Sequence, residues 1–140
     1  ALVKGPGVVV GRKGSAGTVH WVEVDYWPHD TTLYVKWCGG GNPRFVYYKL
    51  IDMDLKSFDT GSANPTVNRN LVHPVVVSWP PTDEQDRLVE VLDKATESID
   101  SACREITHSI DQLQEYRQAL ITAAVTGKLD IPGMEAADDA

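Results

Sequence analysis

The feature that most constrains this chain lies toward its C-terminus, where neither glycine nor proline occurs between Pro81 and Gly127. Pro80-Pro81 cannot continue a strand, and Thr82 stands three residues before Gln85 in the arrangement of a capping box. Gly127, with Pro132 shortly after it, is a stop signal. Together these marks predict roughly 44 helical residues, about 66 Å at ~1.5 Å per residue. Apolar residues recur along the stretch in heptads. One seam is Leu92, Ile99, Ile106, Leu113 and Leu120, and the other is Leu88, Ala95, Ala102, Ser109, Tyr116 and Ala123. An a/d pattern held this long predicts a coiled coil, with Leu88, Leu92, Ile99, Ile106, Leu113 and Leu120 as its packing interface. A helix of about 66 Å outruns the ~30 Å breadth of a small domain, so it cannot hide the stripe on its own lobe. A second long helix is therefore expected, in cis from a longer chain or in trans as a homodimer.

The rest of the chain is different in kind. Residues 1–79 hold all four Trp and four of the five Tyr, with most of the Gly. Their charge balance is +2, eight basic against six acidic residues, whereas residues 80–140 carry five basic against fourteen acidic, a balance of −9. The overall net charge of −7 argues against nucleic acid as a partner only if charge is evenly spread, and it is not. We therefore divide the sequence into a lobe at 1–79, a helical region at 80–130 and an acidic tail at 131–140, expected to be flexible.

Within the lobe, Gly7 to Val10, Thr18 to Val24, Thr32 to Trp37 and Val75 to Trp79 are rich in Val, Trp, Tyr and Thr and read as strands. Breaks fall at Gly11 to Gly17, at Trp27-Pro28-His29-Asp30 and at Cys38 to Gly41. Asn42-Pro43 then begins a short helix, Asn as the cap and Pro in the first helical position. The expected fold class is α+β: a small mixed α/β lobe followed by one long coiled-coil-forming helix. A small β-barrel is the alternative for the lobe.

No apolar run reaches the roughly 18 residues of a membrane helix. The N-terminus has no charged start followed by an apolar core, so no signal peptide is expected. Cys38 and Cys103 lack CxxC spacing and the four His lack ligand spacing, so no metal site is expected. Unpaired cysteines suggest a reducing, cytoplasmic setting. A Cys38/His20 nucleophile pair is the one enzymatic possibility, without an activating signature around either residue. Gly11 to Gly17 follows a strand but lacks the Gly-Lys-Ser/Thr ending of a phosphate loop. It reads as a hairpin turn bearing Arg12, Lys13 and Ser15, suited to DNA phosphates or simply solvated. The loop at 61–70 offers Asn64, Asn68 and Arg69, side chains that bond base edges (Asn to adenine, Arg to guanine) but equally serve as caps and turn formers.

In order along the chain stand Gly-Arg-Lys-Gly-Ser-Ala-Gly (11–17), Asn-Pro-Arg-Phe-Val-Tyr-Tyr (42–48), Gly-Ser-Ala-Asn-Pro-Thr-Val-Asn-Arg (61–69), Pro-Pro-Thr-Asp-Glu-Gln (80–85) and Tyr-Arg-Gln-Ala-Leu-Ile-Thr-Ala-Ala-Val-Thr-Gly-Lys-Leu-Asp (116–130). This series resembles the DNA-specificity (S) subunit of type I restriction-modification systems over nearly the whole chain. The resemblance implies that residues 1–79 are part of a target-recognition domain reading half of a split site in double-stranded DNA. It implies that the long helix packs antiparallel against a counterpart and acts as a ruler. It further implies methyltransferase (M) and restriction (R) subunits as partners. The subunit itself is then non-catalytic, with S-adenosylmethionine, ATP and magnesium belonging to the partners. A subunit of that family has two recognition domains and two long helices, whereas this chain has one of each and starts partway into the recognition domain with Ala1. It is thus expected to correspond to the C-terminal end of such a subunit. The candidate DNA contacts are Arg12, Lys13, Ser15, Asn64, Asn68 and Arg69. The rival from another class is a homodimerising coiled-coil module that binds protein and not DNA.

Overall fold

The computed structural model describes residues 2–36, 38–59 and 63–129. Three strands, β1 (Gly7–Gly11), β2 (Val19–Val22) and β3 (Thr32–Tyr34), form one antiparallel sheet in the order β2-β1-β3. The central place of β1 follows from its valine triplet. Val8 and Val10 are buried on one face, while Val9 stands opposite His20 on one side and Tyr34 on the other. Gly11 to Gly17 makes the expected hairpin connection, closed by the Gly11 amide on Thr18 O at 2.8 Å and the Gly17 amide on Gly11 O at 2.9 Å.

Helix α1 (Pro43–Asp52) starts where Asn42-Pro43 predicts. The Asn42 side chain accepts from the amides of Arg44 and Phe45, at 2.7 and 3.3 Å, and so satisfies two of the helix's orphan donors. Phe45 and Val46 are its buried residues, and it packs on β1 and β2. A 3-10 turn (Leu55–Phe58) then buries Leu55, and a single helical turn, α2 (Arg69–Val72), follows. With Val67, these residues complete a small core. Burying each such aliphatic side chain contributes roughly 1.5–3 kcal/mol.

The α+β class stands, with two corrections to the expected elements. Val75 to Trp79 is not a strand. Pro74 and Pro80 bracket it and supply no amide donors, Val76 is exposed, and Trp79 turns its ring edge onto Phe45 at 5.5 Å between centroids. The second concerns the capping box. Helix α3 (Thr82–Val125, 44 residues) has Thr82 as its first helical residue, and the Gln85 side chain turns into the lobe instead of back to Thr82. Strand β3 is also shorter than expected, and Trp37 lies outside the described residues, as do Gly61, Ser62 and the tail at 131–140. The sheet of three strands is not a barrel.

The C-terminal end of α3 follows the stop signal closely. Gly127, at φ 67°, takes the left-handed position, with the Lys128 amide on Ala123 O at 2.8 Å and the Gly127 amide on Ala124 O at 3.2 Å, a Schellman closure. Two compact units result, Ala1–Asp93 and Lys94–Ala140. The first includes about three turns of α3, on which Gln85 and Val89 are buried. In the second, Ile99, Ile106 and Leu113 are 60–66% exposed. Among the described residues no helix is long and apolar enough to cross a membrane.

Candidate nucleic-acid interface

Backbone pairing brings the two basic loops together. The Val67 amide donates to Arg12 O at 3.0 Å, and Lys13 and Thr66 form an isolated antiparallel bridge. From the other side, the amides of Arg12 and Lys13 both donate to Thr31 O, at 2.9 and 3.1 Å, just before β3. Segments far apart in sequence therefore meet at one edge of the sheet. A cleft of about 750 Å³ opens there, with an apolar floor that includes Val10, Leu33, Leu55 and Val67. Its charged lining is Arg12, Lys36 and Arg69 against Asp30, with His73 beside them. A second cleft of about 420 Å³ runs along Thr66 to Asn70 and shares Arg12, Leu33, Val67 and Arg69 with the first as lining.

Among the described residues no ion pair or side-chain hydrogen bond engages Arg12, Lys13, Lys36 or Arg69. Their charge is available to a ligand, and a planar guanidinium suits both phosphate oxygens and the acceptor edge of guanine. The other expected contacts are distributed differently. Asn68 lines the second cleft, but its side-chain oxygen accepts the Asn70 amide at 3.0 Å and caps α2. That oxygen is therefore engaged in capping, a role that would compete with the expected contact to a base edge. Asn64 is exposed at the start of the loop, its carbonyl accepting from the Thr66 hydroxyl at 3.0 Å. Ser15 lies apart, in a cleft of about 400 Å³ with Thr18, Lys56 and Asp59. Lys36, Lys56 and His73 carry no local signal in the sequence. Only the pairing of β3 with β1 and the turn before α2 bring them near the basic loops.

The remaining expected chemistry is plain. Cys38 is half-buried, and burial pushes its thiol above the ordinary range, opposite to the shift an activated nucleophile needs. His20 shares a hydrogen bond with the Thr18 hydroxyl at 3.0 Å. Among the described residues no three His, Cys, Asp or Glu side chains gather where they could hold a metal ion.

On α3, the expected interface residues lie on a face other than the one that meets the lobe. Gln85, Val89 and Asp93, spaced by four, turn inward. Leu88, Ile99, Ile106, Leu113 and Leu120 are exposed, as is Leu92. At ~100° per residue the inward set and the start of the seam differ by roughly 60° around the helix axis. Compared with known proteins, the chain matches no family model and no curated protein.

Proposed function

We propose that this chain is a DNA-recognition module of the kind found in type I restriction-modification specificity subunits. Its lobe reads one half of a bipartite site, and its long helix sets the spacing and binds partner subunits. The observation that carries this reading is the cleft lined by Arg12, Lys36 and Arg69, none of which has an ion-pair partner among the described residues. Lysine and arginine on phosphates give register, and Arg69 with Asn64 and Asn68 on base edges gives sequence. The module is non-catalytic and cytoplasmic in this reading. S-adenosylmethionine, ATP and magnesium serve the methyltransferase and restriction partners. Half-sites one DNA turn apart lie ~34 Å from each other, a distance that a pair of ~66 Å helices can span.

Selection of bound duplexes from a randomised pool tests the reading. A variant of α3 shortened by one heptad is expected to change spacer length and leave the bases read unaltered. Altered bases at unchanged spacing would contradict it.

A second reading is favoured by the exposed seam at Ile99, Ile106 and Leu113: a homodimerising protein-interaction module without DNA specificity. Salt separates the two. DNA affinity that falls steeply with salt supports the DNA reader, and the absence of such binding supports the interaction module.

A further inference from the structure

The most deeply buried polar side chain of the described residues is Gln85, at 1% exposure. Its amide donates to Pro80 O at 2.8 Å, and its side-chain oxygen accepts the Asn42 amide at 2.9 Å. Asn42 is itself the cap of α1, and its side-chain nitrogen donates to Asp86 at 2.7 Å. Two turns further along α3, Asp93 accepts from Arg44 Nε at 2.8 Å and from the Tyr48 hydroxyl. The Arg44 guanidinium lies over the rings of Trp21, Tyr47 and Tyr48, 4.9–5.5 Å from their centroids. The fit leaves no slack: a Cβ on Gly41 would stand 2.7 Å from Gln85 Oε1 and 2.8 Å from the Trp79 ring.

These bonds tie the first turns of α3 to the cap and the first two turns of α1. Attachment alone does not call for them. Apolar residues of similar volume hold a helix to a sheet at least as strongly as buried polar pairs do, but they tolerate sliding and tilting. Hydrogen bonds between fixed atoms are directional, and displacing the buried Gln85 leaves the Asn42 amide and the Pro80 carbonyl without a partner.

We infer that Gln85 and Asp93 are positioning residues that determine which spacer length is read, by fixing the angle at which the first three turns of α3 stand on the lobe. The inference rests on the DNA-reader proposal. A ~10° tilt at the base of a ~66 Å rod moves its far end by on the order of 10 Å, about three base-pair steps. A ruler therefore needs a stiff joint as much as a fixed length.

The test compares the full chain with Gln85→Leu and with Asp93→Asn in selection from duplexes carrying randomised half-sites and variable spacers. Gln85→Leu strands two backbone groups and can unfold the lobe, whereas Asp93→Asn removes one partly exposed charge and is the variant that keeps the question answerable. The expected result is a shift from one spacer length to a spread of about three neighbouring lengths, with unchanged half-site bases. In parallel, without DNA, spin labels at Glu23→Cys and Arg87→Cys, with Cys38 and Cys103 replaced by Ser, report the distance distribution across the joint. It is expected to be narrow in the parent chain and broad in both variants. A single unchanged spacer in Asp93→Asn, or a distribution already broad in the parent, overturns the inference. If the parent selects no spaced motif at all, the DNA-reader proposal itself fails and takes this inference with it.

Discussion

The two units of the chain use the same residue types to opposite ends. Up to Asp93, aliphatic side chains such as Val8, Leu55 and Val67 are buried, and even a glutamine, Gln85, is enclosed with its hydrogen bonds satisfied. From Lys94 onward, Ile99, Ile106 and Leu113 repeat at heptad spacing and are exposed. The first unit closes its own core. The second presents an apolar stripe that a lone helix has no side on which to hide. Charge divides somewhat earlier in the chain, residues 1–79 balancing at +2 and residues 80–140 at −9. The proposed division of labour, the lobe contacting DNA and the helix contacting protein, would account for both differences.

The largest effect is expected where the contrast is sharpest. Placing a carboxylate in the seam by Ile106→Asp should weaken helix–helix association at least ~100-fold, since burying an unpaired charge costs several kcal/mol. Sedimentation of the parent chain as a dimer and of the variant as a monomer, with unchanged lobe unfolding, is the expected pair of results. Next comes Leu55→Ala, which opens a cavity in the lobe and should cost about 2–5 kcal/mol in its unfolding while leaving self-association intact. Coupled loss of both properties would erase the distinction between the units.

Smaller effects sharpen the account of the cleft. Arg69→Ala should cost about 1–3 kcal/mol and relax preference at one base position. Arg12→Ala or Lys36→Ala should instead weaken binding to all sequences about equally and lower the salt slope by about one. Competition binding across a panel of duplexes at several salt concentrations distinguishes the two patterns.

The smallest effect concerns pH. Burial opposes ionisation of Asp93, but hydrogen bonds from Tyr48 and Arg44, with the charge of Arg44, outweigh it and hold the carboxyl below its ordinary 3.8. A lowered value means that the folded state favours the ionised form. Its contribution is therefore complete above pH 3.8 and is lost as pH falls below that value. Because the pair is partly solvent-exposed, this amounts to no more than about 1 kcal/mol. Acid unfolding of Asp93→Asn should accordingly show a shallower decline than the parent below that pH.

How far the sequence reveals this arrangement depends on whether the deciding signal is local. Helix α3 and its end were readable because Pro81 and Gly127 punctuate it and heptads run between them. The start of α1 was readable because Asn42-Pro43 is a self-contained cap. Where a partner lies far away in the chain, local reading fails. Gln85 fits a capping box by spacing, yet its acceptor bond is made with an amide 43 residues earlier. Val75 to Val77 has the composition of a strand, but prolines at 74 and 80 and the use of Trp79 against Phe45 leave it unpaired in any sheet. The candidate site was half legible. Arg12 and Arg69 stand out in glycine- and asparagine-rich loops, whereas Lys36 and His73 join them only through the fold.

The most direct test of the division between a DNA-contacting lobe and a protein-contacting helix is the salt dependence of duplex binding by the chain. If Arg12, Lys13, Lys36 and Arg69 neutralise phosphates or lie against them, log affinity should fall linearly with log salt at a slope of roughly −3 to −4. On a duplex carrying a single half-site, where one lobe binds, that slope should be unchanged by Ile106→Asp. A flat dependence, or no binding at low salt, contradicts the account.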